Sequence, residues 1–227
     1  MRNICIRQHA ITLFLFLSLF LNPYPVSPSE TVDKESELNW VLKNVKQAEL
    51  KLNTFAAKMV QIRETQLLKS PLRSEGFIYF DHKGKMLFKV TSPSPLMVLF
   101  KEDTVLIYYP DISKMEERYV GQSILREYFG IGASIEELRK QYSIQLISKS
   151  PREGYHLKLV PKKKRMGRYF DSIEVMVNPD SWLPERIHFR EKDGDRISIR
   201  LEFTSINEPM PQNVFKMRLP EEFEGDP

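Results

Sequence analysis

The segment at positions 96–109 reads Leu96-Met97-Val98-Leu99-Phe100-Lys101-Glu102-Asp103-Thr104-Val105-Leu106-Ile107-Tyr108-Tyr109. Its two apolar runs flank a short polar stretch, which is typical of two β-strands joined by a tight turn at Glu102-Asp103. A strand with one face in water alternates apolar with polar residues, and neither run alternates. The segment therefore predicts two antiparallel strands that are covered on both faces.

The same pattern extends towards the N-terminus. Phe77-Ile78-Tyr79-Phe80 is apolar on both faces, and Met86-Leu87-Phe88 begins in the same way. The turn His82-Lys83-Gly84 separates them. Together with a long period-two run further upstream, these segments predict a meander of five strands, at residues 55–68, 74–81, 85–91, 96–101 and 104–109.

Helical patterns precede and follow this meander. Apolar residues at three- and four-residue steps from Ser36 to Leu52 predict an amphipathic helix. Ser134 and Glu137 form a capping box that opens a predicted helix at residues 134–142. The other elements expected are a helix at 122–130, strands at 143–148, 155–160, 170–177, 184–191 and 195–204, and an edge strand at 215–219.

These elements predict a mainly β, α+β domain of about ten to eleven strands. Two architectures stay open. In one, a second sheet and the helices fill a packed sandwich, which the pattern alone favours. In the other, the strands form an incomplete antiparallel β-barrel with a helical lid and an interior left for an apolar ligand. The methionine and aromatic content favours the second, because such side chains make adaptable apolar linings.

The N-terminus has the pattern of a secretory signal. Arg2 and Arg7 precede the apolar run at residues 10–21, and prolines follow it closely. A membrane-spanning helix needs about 20 apolar residues, so this run favours a cleaved signal peptide over an anchor. We expect a signal peptide over residues 1–27, cleaved before Glu30, and a single domain over residues 30–227.

No motif for catalysis or metal binding is found. The single cysteine, Cys5, lies in the expected signal peptide, and Asp193-Gly194-Asp195 predicts a hairpin turn rather than a metal loop. Removing Arg2 and Arg7 from the 34 basic residues leaves 32 against 30 acidic ones, a balance that gives no reason to expect nucleic acid. The basic run that starts at Lys162 is typical of a solvated turn, with attraction to anionic headgroups as the alternative. We therefore expect no enzyme, no cofactor and no metal.

The order of elements resembles that of the outer-membrane lipoprotein carrier family, the LolA type. The resemblance covers nearly all of the chain after the expected signal peptide. The stretches that carry it are Leu52 to Gln61, Gly76 to Phe80 followed by Met86-Leu87-Phe88 and Pro93, Asp103 to Asp111, Leu157 to Lys162, and Phe215 to Pro220.

The resemblance implies an incomplete barrel whose cavity holds the acyl chains of lipoproteins crossing the periplasm. It implies a monomer that meets lipidated proteins, an inner-membrane donor complex and an outer-membrane acceptor. The cavity residues implied are Phe55, Met59, Met86, Phe88, Val90 and Ile107, and the lid residues are Leu125, Tyr128, Phe129 and Ile131. Where the family has a latch arginine, this chain has His82 or Lys83, which cannot reproduce the five donors of a guanidinium.

Three functional classes stay open from the sequence. The first is a periplasmic carrier that moves lipoprotein acyl chains towards the outer membrane. The second keeps the fold as a sensor of lipids or lipoproteins that signals to a membrane partner, or as a carrier for a glycolipid. The third, an acyl hydrolase, lacks a motif for a nucleophile and base.

Overall fold

The computed structural model of the chain describes residues 29–101, 103–119, 133–150, 152–162 and 167–217. The chain divides into two compact units, residues 1–35 and 36–227. Only the opening turns of a helix are described in the first unit, so the expected signal peptide lies outside the described residues. No helix in the described segments is long and apolar enough to cross a membrane.

Eleven strands form one antiparallel sheet in the order β6-β5-β4-β3-β2-β1-β11-β10-β9-β8-β7. Among the described residues the edge strands β6 and β7 do not pair, so the predicted incomplete antiparallel barrel is confirmed as an open sheet. Helix α1 is Ser29–Lys51 and helix α2 is Ile135–Gln141. The strands are β1 Thr54–Glu64, β2 Leu72–Asp81, β3 Lys85–Ser92, β4 Leu96–Lys101, β5 Thr104–Tyr109, β6 Lys114–Tyr119, β7 Tyr142–Ser150, β8 Gly154–Pro161, β9 Phe170–Val177, β10 Pro184–Glu191 and β11 Arg196–Ile206.

Most predicted elements are present, and four of the strands have the predicted bounds: β4, β5, β9 and β10. Helix α2 begins with the predicted capping box. The hydroxyl of Ser134 accepts a hydrogen bond from the backbone N–H of Glu137 at 3.2 Å, and the Glu137 carboxylate accepts one from the Ser134 N–H at 2.8 Å. Two of the free N–H groups at the helix start are thereby satisfied.

Three predictions need correction. Strand β1 ends at Glu64 rather than at residue 68, because the chain turns into the β1–β2 loop there. Strand β6 was missed, since an edge strand of mostly charged residues shows no apolar period. The expected edge strand at 215–219 is wrong as far as it is described, because Phe215 lies in a turn and the next two residues are not in a strand. The expected helix at 122–130 lies outside the described residues.

Helix α1 packs on one face of the sheet, called the helix face below. Its residues Leu38, Val41 and Leu42 recur at the spacing of one helical face and are buried against Leu157 of β8 and Val177 of β9. Directly paired residues in an antiparallel sheet share a face, and so do residues two apart on a strand. The pairing register therefore shows, for each paired strand residue, whether its side chain lies on the helix face or on the opposite face, called the outer face below.

The outer face of β3 and β4 is also buried. Leu87 is 1% exposed and its partner Leu99 is 2% exposed, while the neighbouring Met86, on the helix face, is 4% exposed. Adjacent residues of a strand point to opposite faces. The lack of apolar–polar alternation in these strands therefore corresponds to burial on both sides of the sheet.

Alanine substitution tests this two-sided burial. We expect Met86→Ala and Leu87→Ala each to lower the free energy of unfolding by about 2–5 kcal/mol, because each leaves a cavity among buried side chains. Leu50→Ala, at a residue 74% exposed, is the matched control and should stay within about 0.5 kcal/mol of wild type. Urea unfolding measures all three. A loss for Leu87→Ala no larger than that of the control would show that the outer face is not buried.

Candidate functional site

All six side chains predicted to line a cavity lie on the helix face. Phe55 of β1 pairs with Phe80 of β2, which pairs with Met86 of β3. Met59, Phe88 and Val90 follow at two-residue steps on the same strands. Ile107 of β5 reaches this face through Val98, the partner of Phe88. Residues from separate strands are thus brought to one side of the sheet.

Five of these six side chains belong to one group of packed residues, called the apolar cluster below. Phe55, Met59 and Met86 are buried in it, and Phe88 and Val90 are partly buried against it. Ile107 is half-buried and is not among the residues packed against the cluster. Further buried members are Ala57, Ile78, Phe80 and Leu201, and Leu52, Phe100, Ile199 and Phe203 pack around them.

Aromatic contacts hold the cluster together. The Phe55 ring stacks on Phe80 at a centroid distance of 5.3 Å and meets Phe203 edge to face at 5.3 Å. Phe88 meets Phe100 edge to face at 5.8 Å. The period-two spacing on β2 could have identified Phe80 as a member. No local pattern could have identified Phe203, because its place depends on how β11 pairs with β1.

Met59, Gly76 and Val90 form a row of paired residues across β1, β2 and β3, and Gly76 is the one without a side chain. It pairs with Met59 on β1 and with Val90 on β3, beside a register shift. A Cβ atom there would lie 2.0 Å from the carbonyl oxygen of Lys89, so the close approach of the two backbones admits only glycine. The side chains of Met59 and Val90 are therefore separated by the bare backbone of Gly76.

The chemistry of the cluster is apolar throughout. Its described side chains are hydrocarbon, aromatic or thioether groups, and none is a nucleophile, a general base or a metal ligand. Methionine and aromatic side chains adapt their shape to an apolar ligand at small cost. The cluster is therefore suited to contact hydrocarbon.

The predicted latch residues lie in the β2–β3 turn at the edge of this surface. His82 and Lys83 are exposed. The turn is held locally, because the His82 N–H donates to the Asn53 carbonyl at 2.8 Å and the Lys83 N–H donates to the Asp81 carboxylate at 2.9 Å. The predicted lid residues Leu125, Tyr128, Phe129 and Ile131 lie outside the described residues, so the latch remains a prediction.

A cleft of about 390 Å³ opens where β10 and β11 meet the turn at Asn178–Ser181. Its lining includes Glu185, Arg186, Arg200 and Glu202. Charged walls disfavour an acyl chain, because the chain would displace water from them without replacing its hydrogen bonds. Leu201 and Phe203 of the apolar cluster also line the cleft, which therefore borders the cluster and joins an apolar wall to a charged one.

Three carboxylates converge at the β10–β11 turn. Oxygens of Glu191, Asp193 and Asp195 lie within 4.8 Å of one another. The guanidinium of Arg63 lies 2.9 Å from Glu191 and 3.0 Å from the buried Asp195. The hydrogen bond from Arg63 is the main cause that lowers the pKa of Asp195 below its usual value. The Arg63 side chain thus pairs with two of the three carboxylates and links β1 to the β10–β11 turn.

Residues 50–218 match the family described as "Outer membrane lipoprotein carrier protein LolA". No curated protein sequence is significantly similar to the chain. Among solved structures, an uncharacterized conserved protein from Thermus thermophilus is 14% identical, with a TM-score of 0.53 over 82% of this chain and 96% of the other.

Two further structures are more distant. A LolA superfamily protein from Nitrosomonas europaea is 11% identical, with a TM-score of 0.42 over 79% of this chain and 97% of the other. MucB in the Pseudomonas aeruginosa MucA/MucB complex is 13% identical, with a TM-score of 0.47 over 80% of this chain and 61% of the other. At such low identities a structural likeness shows the fold alone.

The Arg63–Asp195 pair predicts a pH-dependent contribution to stability. A carboxyl whose pKa is lower in the folded than in the unfolded chain stabilises the fold above its unfolded pKa of about 3.9, and this contribution is lost as the pH falls through the folded pKa. We expect Arg63→Met to lower the free energy of unfolding at about pH 7, and the difference from wild type to narrow towards about pH 2.

Urea unfolding across this pH range measures the effect. Arg73→Met is the control, because Arg73 pairs with Glu75 at a site where both side chains are at least half exposed, and such pairs contribute little. A difference between Arg63→Met and wild type that stays constant with pH would contradict the assignment to Asp195.

Proposed function

The chain belongs to the outer membrane lipoprotein carrier family of the LolA type, and we propose that it is a carrier that holds the acyl chains of lipidated proteins on the apolar cluster. The observation that carries this proposal is the convergence of the six predicted side chains on one face, five of them in a single cluster without a polar group. An acyl chain needs such a surface, since it makes no hydrogen bonds.

Hydrocarbon energetics explain why a carrier is needed. Moving one methylene group from hydrocarbon into water costs about 0.8 kcal/mol, so an acyl chain of a dozen or more carbons does not leave a bilayer unaided. A protein surface that is equally apolar lowers this barrier. Release at the destination favours an adaptable lining over a tightly shaped pocket, and the methionines of the cluster fit that requirement.

The side chains of the cluster contact one another. Phe55, Met59 and Met86 are buried, with exposed fractions of 8%, 4% and 4%. Phe88 is held edge to face against Phe100. An acyl chain would therefore replace ring contacts by its own contacts with the same side chains. We infer that binding separates these rings and uncovers the buried methionines, so that the cluster exchanges one set of apolar contacts for another.

The place of action and the partners belong to the same proposal. Family membership and the signal pattern at residues 1–27 support a role in the periplasm, with an inner-membrane complex as donor and an outer-membrane protein as acceptor. Cargo recovered with the purified protein tests this role. Lipidated protein would support it, and a glycolipid would reassign the cargo. Stable capture of a transmembrane regulator without release to an acceptor would instead favour a sensor.

Phe88→Glu tests the binding surface directly. We expect it to weaken binding of a fluorescent palmitate by at least about tenfold, because the ligand would have to bury a charge in an apolar site. Lys89→Glu, on the adjacent exposed residue of the outer face, is the matched control and should bind as wild type does.

Ile107→Glu provides a second variant in case Phe88→Glu destabilises the fold, since Ile107 is half-buried and lies on the same face as Phe88. Circular dichroism and urea unfolding check that each protein is folded. Unchanged palmitate affinity in both folded glutamate variants would rule out the apolar cluster as the acyl site.

Chain-length dependence offers an independent test. If the acyl chain is fully buried, each added methylene should lower the dissociation constant about fourfold, the equivalent of about 0.8 kcal/mol. Calorimetric titration with saturated fatty acids of increasing length, kept below their critical micelle concentrations, measures the slope. A dissociation constant that does not change with length would show that only the carboxyl end is bound.

A further inference from the structure

Strand β11 loses one of its two neighbours before it ends. Its pairing with β1 continues to Ile206, whereas its pairing with β10 stops at Arg200, which lies opposite Arg186. Over residues 201–206, one edge of β11 therefore has no paired strand among the described residues. This edge spans about 17 Å, at about 3.4 Å per residue. Because a free strand edge carries backbone N–H and C=O groups, it offers hydrogen bonds to another extended chain.

A proline explains why β10 leaves β11 at this point. Pro184, the first residue of β10, has no backbone N–H to donate, and the pairing of β10 with β9 shifts register between Pro184 and Arg186. The cleft of about 390 Å³ lies in the resulting gap. Its lining comes from both sides of the gap: residues 200–203 and 206 of β11, and residues 178, 180, 181, 185 and 186 opposite them.

The wall of the cleft opposite β11 is held in place by its own contacts. The Asn178 side-chain carbonyl accepts hydrogen bonds from the backbone N–H groups of Asp180 and Ser181, both at 2.8 Å. Trp182, in the same turn, stacks on Tyr155 of β8 at a centroid distance of 4.8 Å. A ligand that enters the cleft therefore meets a wall that is already ordered, which reduces the entropy lost on binding.

The charges of the cleft are mixed. Its charged side chains are two bases and three acids: Arg186, Arg200, Asp180, Glu185 and Glu202. Two of the acids are engaged, because Glu185 accepts a hydrogen bond from the Asn178 amide at 2.7 Å and Glu202 pairs with Lys58 at 3.3 Å. A lining of both signs favours an uncharged ligand that carries donors and acceptors together. A peptide backbone carries one of each in every residue except proline.

The cleft also continues into the apolar cluster. Leu201 and Phe203 line the cleft and belong to the cluster, where the Phe203 ring meets Phe55 edge to face at 5.3 Å. A ligand in the cleft is therefore next to the side chains to which the acyl chains are assigned above.

We propose that the cleft binds a short extended peptide, which adds as a strand to the free edge of β11. The peptide is the segment of the lipidated cargo next to its acylated residue, so this inference rests on the proposed function. The acyl chains lie on the apolar cluster, and the peptide backbone pairs with residues 201–206. Pairing of this kind depends on main-chain hydrogen bonds more than on side chains, so one cleft accepts cargo proteins of different sequence.

Acylated peptides test the peptide site. Calorimetric titration compares a palmitoylated hexapeptide amide of alanine and serine with N-palmitoyl alanine amide, which has the same acyl chain and linkage. We expect the hexapeptide to bind at least about tenfold more tightly, because backbone hydrogen bonds to β11 are added. Equal affinity of the two ligands would overturn the peptide site and leave the acyl site intact. If neither ligand binds, the proposed function is overturned as well.

Two methylated peptides show whether the backbone pairs as a strand. Successive residues of a strand direct their N–H groups to opposite edges. N-methylation of the second and fourth residues of the hexapeptide therefore removes donors on one edge, and N-methylation of the third and fifth removes donors on the other. We expect one isomer to lose most of its advantage over N-palmitoyl alanine amide and the other to keep it. The same affinity for both isomers would rule out strand addition.

Asp180→Trp fills the cleft from its wall. Asp180 is exposed and lines the cleft, so we expect an indole there to lower the affinity for the hexapeptide at least about tenfold and to leave that for N-palmitoyl alanine amide unchanged. Glu153→Trp, at an exposed turn residue outside the lining, is the matched control. Circular dichroism and urea unfolding check that both variants are folded. Full hexapeptide affinity in folded Asp180→Trp, or an equal loss in the control, would overturn the assignment of the peptide to the cleft.

Discussion

The pairing of β1 with β11 is the constraint on which the rest of the sheet depends. It joins residues far apart in the chain, such as Met59 and Leu201, and it turns two separate meanders into one sheet of eleven strands. Asn207, just after β11, strengthens the junction: its side-chain carbonyl accepts from the Asn53 N–H at 2.6 Å and its amide donates to the carbonyl of Lys51, the last residue of α1. Without this pairing, the helix face of β1 to β3 would lose Leu201 and Phe203 as neighbours.

The two halves of the helix face are packed differently. In the half formed by β7 to β10, helix α1 covers the sheet and its leucines and valines complete a packed core. In the half formed by β1 to β3 and β11, the apolar cluster gathers aromatic rings and methionines around backbone at Gly76. In the proposed function, the core under helix α1 holds the fold while the side chains of the apolar cluster exchange their contacts for contacts with a ligand.

The predictions succeeded where the signal was local. Strands β4, β5, β9 and β10 were recognisable because turn residues flank short strand-forming segments. Ser134 was recognisable as a helix N-cap because a capping box spans only four positions. Strand β6 was missed because its pairing with β5 stabilises a charged sequence with no period of its own. Phe215 was assigned to a strand because its flanking residues resemble one, whereas local turn hydrogen bonds hold that stretch.

The sequence by itself determined which segments extend, where most of them turn, and that β3 and β4 bury both faces, since these properties depend on neighbours within a few residues. It also placed Phe55, Met59, Met86 and Phe88 on matching strand faces. Only the tertiary structure decided that Phe203 and Leu201 join them and that Arg63 pairs with Glu191 and Asp195 of the β10–β11 turn. Each of those contacts depends on strand register or loop position, which the whole sheet sets by satisfying its backbone hydrogen bonds and burying its apolar faces together.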